Sequence, residues 1–201
     1  MRHSQNPAAT EEVHETILNV AEKRLLRFGF HKTTMAEIAD DAGMSAANLY
    51  RYFGSKNDII EECANRSLDR RLDRLRLVAQ HPKSTPSEKL IKYALELVDD
   101  SHALVTEDSM VGELIDTITR ERPNLLHTKN NIHCGLIASI LRAGVESGEY
   151  NVGDIDETAR HIHAAFTLFD LPIFVGLYER SEFDQRATGI TTLIVNGLSA
   201  K

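Results

Sequence analysis

An all-α fold of about nine helices follows from three features of this sequence. Apolar residues recur three and four positions apart along most of the 201 residues. Helix-start signals, in which a Ser, Thr or Asp precedes an acidic residue by three positions, stand before several of those runs. Segments that alternate strictly between apolar and polar, as half-buried strands do, are not found, nor are repeats or low-complexity tracts.

Residues 1–9 are polar and contain Pro7, which predicts a mobile tail; Arg2 or His3 reaching into a minor groove is the alternative. Val13, Ile17, Val20, Ala21, Leu25 and Phe28 repeat at helical spacing and predict a first helix over 10–28, stopped by Gly29. Thr34 and Glu37 form a capping box that opens a short helix with Ile38, Ala39 and Ala42 on its apolar face. Gly43 ends it, because glycine takes the left-handed conformation of a helix C-terminus without steric cost. Ser45 is the N-cap of a third helix running to about Phe53; Gly54 breaks that helix, and Ser55 with Asp58 caps the next. Two short helices around a glycine-containing turn are the mark of a DNA-binding helix-turn-helix.

At about 100° per residue, Ala46, Leu49 and Phe53 fall on one side of the third helix, with Ser45 and Tyr52 flanking them. Ala47, Asn48, Tyr50 and Arg51 are left for a partner, and their chemistry suits DNA. Arg pairs bidentately with guanine, Asn with adenine, and a small Ala accommodates a thymine methyl. Tyr50 can hydrogen-bond a phosphate and Lys56 can neutralise one. The candidate DNA-binding set is Thr34, Ser45, Ala47, Asn48, Tyr50, Arg51, Tyr52 and Lys56.

The run AGMSAANLYRYFGSKNDI, residues 42–59, resembles the recognition-helix signature of TetR-type transcriptional regulators. That pattern is A-G-hydrophobic-S-x-x-x-L-Y-x-x-F-x-S/N-K, here Ala42, Gly43, Met44, Ser45, Leu49, Tyr50, Phe53, Ser55 and Lys56. The resemblance implies a DNA-binding domain over 1–55 and an effector-binding and dimerisation domain over 56–201. In such regulators the last two helices form the dimer interface and the inner helices enclose an effector cavity. Arg51 and Tyr52 stand at positions that vary between members, so the operator sequence does not carry over.

The net charge of −7 is unevenly spread: residues 1–80 hold 12 basic and 12 acidic side chains, and residues 81–201 hold 11 and 18. DNA repulsion is thereby expected in the part that can face away, while a neutral front end must bind through a few well-placed contacts.

A long helix is predicted over 56–79, with Ile60, Cys63, Ala64, Ser67, Leu68, Leu72, Leu75 and Val78 as its inner stripe. Arg66, Arg70, Arg71, Arg74 and Arg76, interleaved with Asp69 and Asp73, predict a solvated, self-paired face. Residues 81–86, HPKSTP, read as a linker, after which Thr85, Pro86 and Glu88 restart a helix carrying Leu90, Tyr93, Ala94, Leu97 and Val98 inward. Further helices are expected over 107–120, over 124–147 with a stop at Gly148, from the Asp154–Glu157 cap to about Tyr178 with a kink at Pro172, and from a cap by Ser181 and Asp184 to the end.

No apolar run approaches the ~18 residues of a membrane span, and the first residues lack the apolar core of a signal peptide, so no membrane partner and a cytoplasmic location are expected. Cys63 and Cys134 are too few for a disulfide framework and read as reduced, buried thiols. Among nine His residues, neither His161 with His163 nor His127 with His133 has the i, i+4 spacing of a helical metal site. A P-loop, a GxGxxG after a strand and a GxSxG elbow are all missing, so no catalytic residue, cofactor or metal is assigned.

Two sets of residues remain. Phe174, Leu177, Ile190, Leu193 and Ile194 suit an antiparallel four-helix seam in a homodimer. Tyr93, Met110, Leu114, Ile118, Ile137, Phe166 and Phe169 supply apolar walls, with His102, His133, His163 and Thr167 as polar points, for a small and mostly hydrophobic effector. The sequence thus reads as a homodimeric repressor on a pseudo-palindromic operator in double-stranded DNA, released by a small molecule. The competing readings are a DNA-binding regulator or structural factor that senses nothing, and a helical small-molecule-binding protein.

Overall fold

The computed structural model describes residues 7–105 and 110–199, with the side chains of 7–9 and 111 excluded. Residues 1–6 of the expected tail and the start of a helix at Glu107 lie outside those residues, while residues 7–9 of that tail are corrected to the first turn of the first helix, where Pro7 is tolerated because a first-turn N–H has no helical partner. The described residues form α1 (Pro7–Phe28), α2 (Met35–Asp41), α3 (Ala46–Leu49), α4 (Lys56–Ala79), α5 (Pro86–Leu104), α6 (Val111–Glu121), α7 (Pro123–Glu146), α8 (Ile155–Asp170), a 3-10 helix (Pro172–Leu177) and α9 (Arg180–Leu198). An antiparallel bridge joins Tyr150 and Ser199, and no strand occurs among the described residues.

The chain divides into two compact units, Met1–Ser67 with Glu107–Pro123, and Leu68–Thr106 with Asn124–Lys201. This differs from a division after residue 55, because α6 joins the first unit. Its apolar stripe, Leu114 and Ile118, packs on the core formed by Ile17, Leu18, Ala21 and Leu25 of α1, Ile38 of α2, Leu49 of α3, Phe53, and Ile59 of α4. The Met110 N–H donates to Leu26 O at 2.7 Å, and Arg122 Nε donates to Glu61 Oε2 at 2.6 Å. Within this unit the capping box at α2 is complete: Thr34 Oγ1 accepts from the Glu37 N–H and the Thr34 N–H donates to Glu37 Oε2. Gly43 has φ +68°, the left-handed value expected of a helix stop.

The second unit wraps α5, α7, α8 and α9 around an aromatic core. Tyr93, Phe166, Phe169 and Phe183 are fully buried, and their rings meet in series at centroid distances of 5.6–6.2 Å. The complete capping box at Thr85–Glu88 and the proline at the first turn start α5 as expected. Two expected boundaries are corrected. α8 ends at Asp170 instead of continuing to Tyr178, since Pro172 has no N–H to bond backward and the chain tightens there into the 3-10 helix. α9 begins at Arg180 without a side-chain cap: Ser181 lies inside it, and Asp184 accepts from Arg180 Nε at 3.1 Å.

The basic face of α4 is also corrected. Arg76 does pair with Asp73 on its own helix at 2.6 Å, as a solvated face would. Arg66 instead reaches α1, donating to Glu15 Oε2 and Asn19 Oδ1 at 2.7 Å and to Glu22 Oε2 at 2.9 Å. Arg71 is only 8% exposed, because it stands on the inner stripe between Leu68 and Leu75.

One close approach in the second unit yields a test. A Cβ at Gly144 of α7 would overlap the ring of Tyr150, which is buried and held near Ser87 Oγ by its hydroxyl at 3.1 Å. Gly144→Ala is expected to lower unfolding free energy by about 1–3 kcal/mol through overpacking. Urea denaturation checks this; an unchanged midpoint means that the ring gives way freely.

Candidate nucleic-acid interface and effector core

The turn between α2 and α3 is closed by the Met44 N–H to Ala39 O at 2.9 Å, and Ser45 Oγ then accepts from the Asn48 N–H at 3.2 Å. The α-helical part of the third helix is one turn; residues 50–52 continue as tighter turns, with Arg51 N–H to Asn48 O and Tyr52 N–H to Leu49 O at 3.1 and 2.9 Å. Leu49 and Phe53 are buried, and His14 stacks on the Phe53 ring at 4.8 Å. This anchoring turns the other side outward. Ala47 and Arg51 are exposed, Tyr50 is 55% exposed, and Asn48 is half-buried beside Met44 Sδ.

The remaining members of the candidate set are used differently. The Thr34 and Ser45 hydroxyls serve the caps of α2 and α3. Tyr52 is half-buried and packs against the core of the first unit. Lys56, expected to meet a phosphate, turns inward: its Nζ donates to Phe30 O at 2.6 Å and Thr33 O at 2.8 Å and lies 3.9 Å from the centroid of the Phe30 ring. Burial lowers its pKa, against the pull of the Glu113, Glu121 and Glu37 carboxylates. Lys56 is a brace on the α1–α2 loop, a role invisible to a motif that spans only neighbouring residues.

In the second unit the structure gathers part of the effector set. Tyr93 Oη lies 3.0 Å from His133 Nδ1, the His133 and His163 ring centroids are 5.5 Å apart, and Ile137, Phe166 and Phe169 belong to the same core. Burial pushes the His133 imidazolium down to about 4, so the ring is neutral at pH 7, and burial lowers His163 as well. Thr167 Oγ1 donates to His163 O within α8, and His102 meets the edge of Phe183 at 5.9 Å rather than Tyr93. Met110, Leu114 and Ile118 are not brought to this cluster: Leu114 and Ile118 pack in the first unit's core, where Met110 bonds α1.

Sequence reasoning missed a group of buried charges next to that cluster. Arg71 Nη2 donates to Asp170 O at 3.0 Å and lies 2.6 Å from its carboxylate, while Arg71 Nε is 3.4 Å from Asp100. Arg74 also pairs with Asp100, and Ser101 Oγ donates to Phe169 O at 2.7 Å. Burial raises the Asp100 pKa, opposed by the two guanidinium groups. The available signal was the register of Arg71, which places a cation on the apolar stripe of α4.

The expected dimer set splits. Leu177 and Leu193 are 60% and 73% exposed, joined by Ile173 at 57%, which the set omitted. Phe174, Ile190 and Ile194 are part-buried against their own unit's core.

Comparison with known proteins bears on both units. The family model for bacterial regulatory proteins of the tetR family matches residues 17–63, and that for the tetracyclin repressor-like C-terminal domain matches residues 86–191. The HTH-type transcriptional repressor KstR2 of Rhodococcus jostii is 30% identical over 142 residues, covering 70% of this chain and 68% of its own. The fatty acid metabolism regulator protein of Bacillus subtilis is 24% identical over 192 residues, covering 92% and 95%. Among solved structures, a putative TetR-family transcriptional regulator from Mesorhizobium loti superposes with a TM-score of 0.77 at 18% identity, over 98% of this chain and 100% of that one.

The buried imidazole makes stability depend on pH. Between about 4 and the ordinary value of 6.5, the unfolded chain binds a proton at His133 that the folded chain does not. That contribution is present above pH 6.5 and is lost as pH falls toward 4. His133→Gln is expected to flatten the decline in unfolding free energy, read from urea denaturation, between pH 7 and pH 5 by on the order of 1–2 kcal/mol. Parallel pH profiles for parent and variant would show that His133 titrates normally in the folded protein.

Proposed function

Because this chain belongs to the tetR family of bacterial regulatory proteins, we propose that it is a homodimeric repressor that reads a pseudo-palindromic operator and leaves it when a small, mostly hydrophobic ligand binds. The observation that carries the DNA half is the two-sided third helix: Leu49 and Phe53 are buried in the first unit, while Ala47, Tyr50 and Arg51 are offered outward. Such a helix can enter a major groove with its anchored side against its own domain. The Rhodococcus relative is itself named a repressor.

The exposed Ile173, Leu177 and Leu193 support pairing with a second copy. Gly189 and Gly197, four residues either side of Leu193, have open space where a Cβ would project, which leaves room for a partner helix to come close. The effector half is supported by the neutral His133 and the half-buried His163 among aromatic walls, a setting for an apolar molecule with a hydrogen-bonding tip. The Bacillus relative's name places that protein in fatty acid metabolism, which agrees with an apolar effector.

Selection of duplexes from a random DNA library on the purified protein tests the reading. A palindromic consensus is expected; enrichment of no sequence removes the repressor. On the selected duplex Arg51→Ala is expected to relax base preference at one position per half-site and cost about 1–3 kcal/mol. Lys56→Ala should lower the thermal midpoint while leaving the salt slope unchanged, since its ammonium is held by two carbonyls. A salt slope reduced by about one per subunit would restore Lys56 as a phosphate contact. Leu193→Glu is expected to give a folded monomer in sedimentation; a dimer that survives this change moves the seam elsewhere.

A further inference from the structure

The loop between α1 and α2, residues 29–33, has no regular structure of its own, yet four of its polar backbone groups are engaged by three side chains. Thr33 Oγ1 donates to Gly29 O at 2.8 Å. The Lys56 ammonium takes Phe30 O and Thr33 O. The His31 N–H donates to Glu113 Oε1 at 2.9 Å, across 82 residues of sequence. A cation thus holds two of the loop's carbonyls and an anion holds one of its N–H groups. The fit around the anion is close: Gly29 has φ +82°, and a Cβ there would lie 2.5 Å from Glu113 Oε2. Gly29 is therefore favoured by its backbone conformation, and any side chain there would push the Glu113 carboxylate aside.

We propose that Glu113 is a positioning residue for operator binding, which acts through the 29–33 loop to fix how α2 and α3 are presented and does not itself touch DNA. The inference rests on the DNA-binding reading above. The loop leads directly into the Thr34 cap of α2, and α2 is tied back to α1 by Arg24, which bridges Glu37 at 2.8 Å and Asp41 at 2.7 Å. Arg24 thus sets α2 against α1, while the His31 N–H bond to Glu113 sets the loop that delivers the chain to the Thr34 cap, so freeing it loosens the entry to α2. A carboxylate cannot favour a phosphate, so Glu113 must aid operator binding indirectly or oppose it. The sign of its effect therefore separates positioning from direct electrostatics.

The test uses the full chain and the duplex selected by the parent protein, with binding followed by fluorescence anisotropy over a salt series. Glu113→Ala is expected to weaken binding about tenfold, the scale of one charge-assisted hydrogen bond, with the salt slope unchanged. Glu113→Gln keeps an acceptor for the His31 N–H and is expected to stay within about threefold of the parent. Exchange of the His31 amide should be slowed in the parent and the Gln variant and fast in the Ala variant. Glu113→Asp, which keeps the charge but draws the acceptor back by one methylene, should behave as Ala and carries the test if Ala does not fold. A loss of thermal stability alone, with parental affinity in the folded protein, overturns the proposal. So does tighter binding by the Ala and Gln variants alike, which is the result of removing a negative charge and nothing more. Failure of the parent to select any duplex would instead overturn the DNA-binding reading itself.

Discussion

The α-helical part of α3 is four residues long, and a single helical turn has no stability of its own in water. Nucleation fixes several backbone dihedrals for one hydrogen bond, so α3 exists only because its surroundings impose it. Leu49 and Phe53 bury one side, Ser45 satisfies an orphan N–H at its start, and the turns at 50–52 carry the chain directly into α4. The consequence is that the reading surface is as rigid as the core beneath it and no more so. α1, α2, α4 and α6 each supply part of that core.

The second unit faces a different problem. It places Arg71, Asp100 and the half-buried Asp170 in a largely apolar interior, with the exposed Arg74 reaching Asp100 from the surface, and taking charges out of water costs several kcal/mol per ion before pairing returns any of it. Apolar residues of similar volume could fill that space with equal stability. The charges do something such residues cannot: Arg71 pairs with both the carbonyl and the carboxylate of Asp170, the last residue of α8. That arrangement fixes where α8 ends relative to α4, just before Pro172 forces the change to the 3-10 helix. Register is the best-attested use of buried ion pairs.

What could be read from sequence, and what could not, follows from the range of the interactions. The caps at Thr34, Ser45, Thr85 and Asp154 were legible because donor and acceptor lie within one helical turn. The helix-turn-helix was legible for the same reason. Three other features depend on partners 23 to 99 residues away: Lys56 on the α1–α2 loop, Leu114 and Ile118 in the first core, and Arg71 on Asp170. Local pattern gave Lys56 a phosphate, α6 a place in an effector wall and Arg71 a solvated face. Each is chemically reasonable for the residue type, and each was displaced by a contact that only the folded chain creates. The end of α8 belongs to a third kind: sequence pattern places a kink at Pro172, and its missing N–H makes the position a full stop.

The grouping of α6 with the first unit also changes how the charge must be understood. Split by sequence at residue 80, the front end is neutral; drawn along the compact unit, Met1–Ser67 with Glu107–Pro123 holds 10 basic and 15 acidic residues. A DNA-binding unit with an acidic balance cannot draw on general attraction to the phosphate backbone. Several of its cations are moreover committed within the protein, Arg24 to Glu37 and Asp41, Arg66 to Glu15 and Glu22, Arg122 to Glu61. Those pairs neutralise acids that would otherwise repel the duplex, but they leave few positive groups to release counterions. On the function proposed above, affinity then comes from base contacts at Ala47, Asn48 and Arg51 and from engaging two half-sites at once. Both sources demand that α3 be held in a defined orientation, because a misplaced recognition helix has no electrostatic attraction to fall back on.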